Sequence, residues 1–191
     1  MIVRTGFALL IALGAIASAR AAGLRIVYYD ISGRTTRDLV EQMQTKGPVD
    51  KSSGGISVAY TEWRVSWNFR YESTPGSCKL TELNASVEGT TTLPRWADGD
   101  TAPASRMKEW QDFVAALRVH ENGHYAHGVQ AAEEVRVLAG SIPPAADCED
   151  LTRQVTDRAQ AILEKYRTLD AKYDQDTQHG QTQGAVLEID D

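Results

Sequence analysis

The stretch MKEWQDFVAALRVHENGHYAHGVQAAEEVRVL, residues 107–138, decides the fold, because its apolar side chains recur with the period of an α-helix. The stripe runs through Met107, Trp110, Phe113, Val114, Leu117, His120, Glu121, His124, Ala131, Val135 and Leu138. Gly140 and Pro143-Pro144 end the pattern. We predict one long helix from residue 103 onward, or two abutting helices that meet around Gly123 and Gly128.

A second long helix is predicted after this one, with Asp147 as a natural N-cap. Apolar residues at helical spacing mark its buried face: Leu151, Val155, Ala159, Ile162, Tyr166, Leu169 and Tyr173. The chain after Gly180 is polar and acidic, so we predict that it is frayed and that residues 185–191 form a flexible acidic tail.

The N-terminal half has the patterns of strands. Residues 61–72 alternate aromatic or apolar with polar side chains, and we expect the aromatic face to pack on helices. A second strand over roughly residues 79–92 follows the turn Ser73-Thr74-Pro75-Gly76, and Pro94 is expected to stop it. These two strands predict an antiparallel hairpin.

Two further elements precede this hairpin. Residues 24–30 form a β-rich run, and hydroxyls at residues 35–36 can cap a helix that lasts to about Thr45. The fold class is therefore α+β: a small antiparallel sheet with an N-terminal helix, packed on two long C-terminal helices.

The N-terminus has the layout of a secretory signal peptide over residues 1–21, with Arg4, an apolar run from Phe7 to Ala17 and small-x-small sites. A retained N-terminal anchor is the alternative, but the run is shorter than the roughly 20 apolar residues of a spanning helix. Residues 22–184 would then form a single domain that is periplasmic or secreted, with no later membrane span. Its oligomeric state is left open.

The charge balance excludes one class of partner. Loss of Arg4 and Arg20 with the signal peptide would change the net charge from −6 to −8. Nucleic acid is excluded as a partner, because phosphate binding requires a basic face.

The chain has two cysteines, Cys78 and Cys148. An exported protein meets an oxidising compartment, so we predict that they form a disulfide. A metal site and two free thiols are the alternatives, and the absence of C-x-x-C spacing disfavours the metal site.

The segment His120-Glu121-Asn122-Gly123-His124 is an H-E-x-x-H motif within the predicted helix. Each helical residue advances about 100°, so the two histidines lie one turn apart within about 40° and can bind one metal ion. Zn²⁺ favours imidazole nitrogen and leaves a position for water in catalytic sites. Glu121 is then the expected general base, which takes a proton from that water. A pair of surface histidines is the alternative, although the apolar stripe places both facing inward.

A catalytic zinc site needs a third protein ligand, and the residues leave its identity open. His127 lies too close along the same helix, and His179 is the remaining histidine. The acidic alternatives are Glu133, Glu134, Glu149, Asp174 and Asp176. Tyr125 and Tyr173 are candidates for stabilising an oxyanion, with packing as the alternative role, and Asp174 is also a candidate for orienting a ligand histidine.

The chain resembles a bacterial family of predicted secreted zinc-dependent proteases, catalogued as a domain of unknown function. The resemblance rests on Leu93-Pro94-Arg95-Trp96, the run from Trp110 to His124, Cys148, and the closing Tyr173-Asp174-x-x-Thr177-x-His179-Gly180. It covers roughly residues 24–184. It implies membership of a gluzincin-like metallopeptidase clan, a zincin-like fold and His179 as the third zinc ligand.

These features together predict a secreted zinc-dependent peptidase that acts on a peptide or protein substrate. The alternative is a non-catalytic envelope binding module with a structural or vestigial metal site. A third interpretation is hydrolysis of a non-peptide amide, such as a cell-wall crosslink. The strand edge over residues 83–91 is a candidate for holding an extended peptide.

Overall fold

The computed structural model describes residues 23–51 and 53–189, so the predicted signal peptide lies outside the described residues. The helices and strands in this part of the chain are β1 (Leu24–Ile31), α1 (Thr36–Lys46), β2 (Tyr60–Thr74), β3 (Ser77–Trp96), α2 (Ala104–Val137) and α3 (Cys148–Thr177). This arrangement confirms the predicted α+β class. No helix among the described residues has both the length and the apolar character that crossing a membrane requires.

The strands form one sheet in the order β1-β3-β2. The predicted hairpin is confirmed, since β2 and β3 are antiparallel and Thr61 pairs with Thr91. The sheet is nevertheless mixed, because β1 runs parallel to β3, with Leu24 opposite Gly89. The prediction of a purely antiparallel sheet was wrong on this point. Alternation identifies a strand but not its neighbour, and here α1 and β2 supply the crossover that a parallel pair needs.

Strand β3 is longer than predicted and contains Pro94, which was expected to end it. Strand β2 begins at Tyr60, opposite Thr92, so Pro94 pairs only with β1, through Tyr29. A proline is tolerated where a strand lacks a neighbour on one side, because its missing N–H then interrupts no ladder.

Side-chain caps fix the starts of two helices, as the sequence indicates. Thr35 and Asp38 form a capping box at the start of α1, and Asp147 accepts from the backbone N–H of Asp150 at the start of α3. Each cap satisfies an N–H group that has no partner inside the helix.

Helix α2 is one continuous helix of 34 residues, which settles the choice between one helix and two. Its glycines are sites of close packing. A Cβ at Gly123 would meet the Tyr173 hydroxyl, and a Cβ at Gly128 would lie 2.8 Å from the ring of Trp63. The helix therefore carries glycine where α3 and β2 approach its backbone.

Two apolar clusters flank the middle of α2. The hairpin cluster lies between β2, β3, the C-terminal part of α2 and α3, and it includes Val65, Leu83, Val87, Ala131, Val135, Leu151, Val155 and Ile162. The β1–α1 cluster lies around the N-terminal part of α2, and it consists of Ile31, Leu39, Met43, Leu93, Trp96, Trp110, Phe113, Leu117 and Ala185. Residues 120–124 lie between the two clusters.

The chain beyond Gly180, predicted to be frayed, is instead folded against α2. Gln181–Gln183 form a 3₁₀ turn, and Ala185 is 9% exposed because it packs in the β1–α1 cluster. The predicted flexible tail thus starts at a packed residue, and its last two residues, 190 and 191, lie outside the described part.

The predicted disulfide is present between Cys78 and Cys148, with Cα atoms 5.1 Å apart. It joins the start of β3 to the start of α3, and Cys78 also exchanges backbone hydrogen bonds with Ala145. The disulfide therefore fixes the N-terminal end of α3 to the sheet, whereas Asp174 lies near the C-terminal end of this helix.

Candidate metal centre

Helices α2 and α3 bring three potential metal ligands together. His120 and His124 come from α2 and Asp174 from α3. The Asp174 Oδ1 atom lies 3.1 Å from Nε2 of each histidine, and the two Nε2 atoms lie 3.3 Å apart. Both histidines are buried, whereas the Asp174 side chain is 30% exposed. Solvent therefore reaches this group from the side of Asp174.

The other ring nitrogen of His120 is held as a hydrogen-bond donor. Its Nδ1 lies 3.0 Å from Gln183 Oε1, and Gln183 is oriented by donating from Nε2 to the Tyr173 hydroxyl. The Thr177 hydroxyl, 3.4 Å from Nδ1, donates to the Tyr173 carbonyl and so can only accept from the histidine. Nδ1 therefore carries a proton, and Nε2 of a neutral ring presents its lone pair to the centre.

The same argument applies to His124. Its Nδ1 lies 3.1 Å from Asp170 Oδ1, and a carboxylate only accepts. Two Nε2 lone pairs and a carboxylate oxygen therefore converge within hydrogen-bonding distance of one another. Such a group is stable only with positive charge at its centre, either as protons on the rings or as a bound cation.

The distances also fit a metal ion. A tetrahedral zinc ion with bonds of about 2.0–2.2 Å separates its ligand atoms by about 3.3–3.6 Å. The observed separations of 3.1–3.3 Å are close to this value. Two imidazoles and one carboxylate form a ligand set that zinc accepts and that leaves a fourth position for water.

The pKa shifts of His124 and Asp174 indicate that the group favours positive charge at its centre. Burial lowers the pKa of His124, but the hydrogen bonds with Asp170 and Asp174 outweigh it and raise the pKa to about 10. Burial raises the pKa of Asp174, but the hydrogen bonds with His120 and His124 hold it well below its usual range. A metal ion would replace this bound proton.

Glu121 lies beside this group and faces the sheet. The side chain is 3% exposed, and among the described residues its Oε2 is a buried oxygen with no hydrogen-bond partner. Burial raises the pKa of Glu121, opposed by a hydrogen bond with Thr61 and by the charges of the two histidines. Leaving a buried oxygen unpaired costs about 1–3 kcal/mol, so Glu121 is a candidate functional residue.

The closing motif of the resemblance surrounds His120. The Tyr173 ring stacks on the imidazole with centroids 4.9 Å apart. Gly180 has φ of 84°, and a Cβ there would lie 3.1 Å from the Cβ of His120. Gln178 and His179 also have positive φ, at 50° and 53°. Backbone strain of this kind persists where the surrounding structure requires it, and here it turns the chain back towards α2.

The structure places the remaining candidates at various distances from the centre. His179 is 75% exposed, and its Nδ1 lies 3.4 Å from Asp174 Oδ1, so it is a neighbour of the group rather than one of the three converging ligands. The Tyr125 ring packs against Gly89 of β3. The acidic alternatives other than Asp174 are on the surface: Glu133, Glu134 and Asp176 form ion pairs there, and Glu149 is exposed.

Sequence reasoning missed three residues of the site. Asp170 contacts His124, Gln183 contacts His120, and Trp63 donates to Asp170 over 2.7 Å. One signal existed for Asp170, because it precedes Asp174 by one helical turn and so shares its face. Gln183 gave none, since its role depends on how the chain turns after α3.

Comparison with known families identifies the family of this chain. Residues 26–180 match the family described as "Bacterial protein of unknown function (DUF922)". The chain belongs to this family. The description gives the family no activity, so only the domain-family part of the predicted resemblance is confirmed. Neither the curated proteins nor the solved structures gave a match.

Proposed function

We propose that this DUF922 protein is an exported zinc-dependent peptidase with a zincin-like site. The convergence of the His120, His124 and Asp174 ligand atoms beside a buried carboxylate carries the proposal. A structural zinc site is usually closed by four protein ligands and needs no base. Here three potential ligand atoms converge, and Glu121 directly follows His120 in the sequence.

The chemistry follows from the groups that surround the centre. Bound zinc would lower the pKa of a coordinated water to about 7 and polarise a substrate carbonyl. Glu121 would accept the proton of the water that attacks the carbonyl carbon, and it would deliver that proton to the amine released when the C–N bond breaks. Burial prepares this carboxylate for both roles, because it raises the pKa towards the range in which a group both accepts and returns a proton. Tyr173 and Tyr125 are the phenols available for an oxyanion, and Tyr173 is the nearer, since its ring contacts both histidines.

A peptide substrate is favoured by the strand beside the site. The predicted peptide-binding edge at residues 83–91 is unsuitable over its last part, because Gly89–Thr91 of β3 pair with both neighbours. Strand β2 is at the edge of the sheet, and within the described residues no strand pairs with its outer side. Its residues Thr61 and Trp63 contact Glu121 and Asp170. An extended chain adding to β2 would therefore pass next to the centre.

Export is favoured by two features. The predicted signal peptide directs the chain out of the cytosol, and the Cys78–Cys148 disulfide fits an oxidising compartment. Both features support a periplasmic or secreted location.

The decisive experiment compares the mature protein with its Glu121→Gln and His124→Ala variants. Zinc content is measured by mass spectrometry after dialysis, and hydrolysis is measured as new N-termini in a mixture of unfolded proteins. We expect wild type to bind one zinc and cut, Glu121→Gln to bind one zinc without cutting, and His124→Ala to do neither. Zinc binding without cleavage by wild type would instead favour the envelope binding module.

The third ligand is assigned by a second pair of variants. Asp174→Asn should lose zinc if the converging carboxylate binds it, whereas His179→Ala should retain zinc. The reverse result would assign the third position to His179, as the resemblance implies, with Asp174 then orienting a ligand histidine.

A further inference from the structure

Asp170 of α3 joins three elements at one carboxylate. Its Oδ2 accepts from Trp63 Nε1 on β2 over 2.7 Å. Its Oδ1 lies 3.1 Å from Nδ1 of His124 and 2.6 Å from Nδ1 of His127, both on α2. The side chain is 20% exposed, so these bonds are made in a mostly dry environment, where hydrogen bonds to a charged group are strong.

We infer that Asp170 is a positioning residue of the metal centre, which holds His124 in the ring orientation and tautomer that metal binding requires. This inference rests on the metal centre of the proposed function. A proton on Nδ1 leaves Nε2 free, and Nε2 is the atom that faces Asp174 and His120. A carboxylate behind a ligand histidine also increases the basicity of the ring.

The indole of Trp63 fixes the carboxylate in turn. It leaves Oδ1 for the two histidines, and the Trp63 ring packs on Gly128 of α2. His127 forms a hydrogen bond with the same Asp170 oxygen as His124, and its Nδ1 lies closer to that oxygen than the Nδ1 of His124 does. Since the two imidazoles share one acceptor, removal of His127 leaves Oδ1 to His124 alone and does not weaken the metal centre.

The test measures zinc affinity by competition with a chromophoric chelator. Asp170→Asn keeps the size of the side chain, but its amide can turn the NH₂ group towards His124 and favour the tautomer with a proton on Nε2. We expect its dissociation constant for zinc to rise about 10- to 100-fold. The visible absorption of the cobalt(II)-loaded variant, which reports ligand geometry, should also change.

Three variants complete the test. Trp63→Phe removes only the indole hydrogen bond that fixes Asp170, so its loss of zinc affinity should be smaller than that of Asp170→Asn. His127→Gln should bind zinc as tightly as wild type or more tightly. Asp157→Asn makes the same charge change on an exposed part of α3, about 20 Å along the helix axis, and should have no effect.

The outcomes separate this inference from the metal centre itself. If wild type binds zinc and Asp170→Asn binds it with the same affinity, the positioning role is overturned but the metal centre is not. An equal loss of affinity in Trp63→Phe or His127→Gln would also overturn it, because general packing would then explain the effect. Circular dichroism of the apoproteins establishes folding. If Asp170→Asn does not fold, Trp63→Phe decides, because a zinc affinity equal to that of wild type would then overturn the positioning role. Wild type without zinc affinity overturns both proposals.

Discussion

His120, Glu121 and His124 form a polar layer between the two apolar clusters. The side chains of this layer are buried to about the same degree as those of the clusters, but their burial has the opposite effect on stability. Leu117 is 4% exposed and Ala131 is fully buried, and between them on α2 lie His120 and Glu121, each 3% exposed. Apolar burial stabilises by about 25 cal/mol per Å². Burial of ionisable groups is unfavourable unless they are paired, and one oxygen of Glu121 has no hydrogen-bond partner among the described residues. Burial in the middle of α2 is therefore destabilising, whereas burial towards its two ends is stabilising.

A metal ion should reverse this disadvantage, which gives the largest expected effect. Zinc at about a thousand times its dissociation constant should raise the free energy of unfolding by about 4 kcal/mol, because it binds the folded chain and not the unfolded one. Urea unfolding with zinc and with a chelator measures the difference. His124→Ala should show no response to zinc, and an equal response in this variant would place the bound metal elsewhere.

Truncation in the apolar part of α2 should have the next largest effect. Leu117→Ala should lower the free energy of unfolding by about 3 kcal/mol, because it leaves a cavity in the β1–α1 cluster. The loss should be the same with and without zinc if the cluster and the centre are independent. Val119→Ala, at a residue 58% exposed on the same helix, should stay within about 0.5 kcal/mol of wild type.

Replacement in the polar layer should have a smaller effect of the opposite sign. Glu121→Leu should stabilise the apoprotein by about 2 kcal/mol, because an apolar side chain of similar volume replaces a buried carboxylate with an unpartnered oxygen. Zinc should still bind and hydrolysis should be absent. A less stable Glu121→Leu apoprotein would mean that the attraction of the two histidine charges outweighs the burial of the carboxylate.

The sequence predicted most of the fold because periodicity and caps are local properties. The apolar stripe of α2, the cap at Asp147 and the alternation of residues 61–72 each depend on neighbours within a few residues. The parallel pairing of β1 with β3 could not be predicted in this way, since strand neighbours are chosen by long-range packing. The fold of the chain after Gly180 was missed for the same reason. Its polar composition gives no indication that Gln183 contacts His120.

The sequence by itself determined that His120, Glu121 and His124 share one region of a helix, because helical geometry fixes the angle between residues three and four apart. It also restricted the third ligand to a few residues. Only the tertiary structure decided which of them meets the histidines, since that depends on how α3 crosses α2. It brought Asp174 to the centre, left His179 beside it and placed Asp170 and Gln183 behind the two rings.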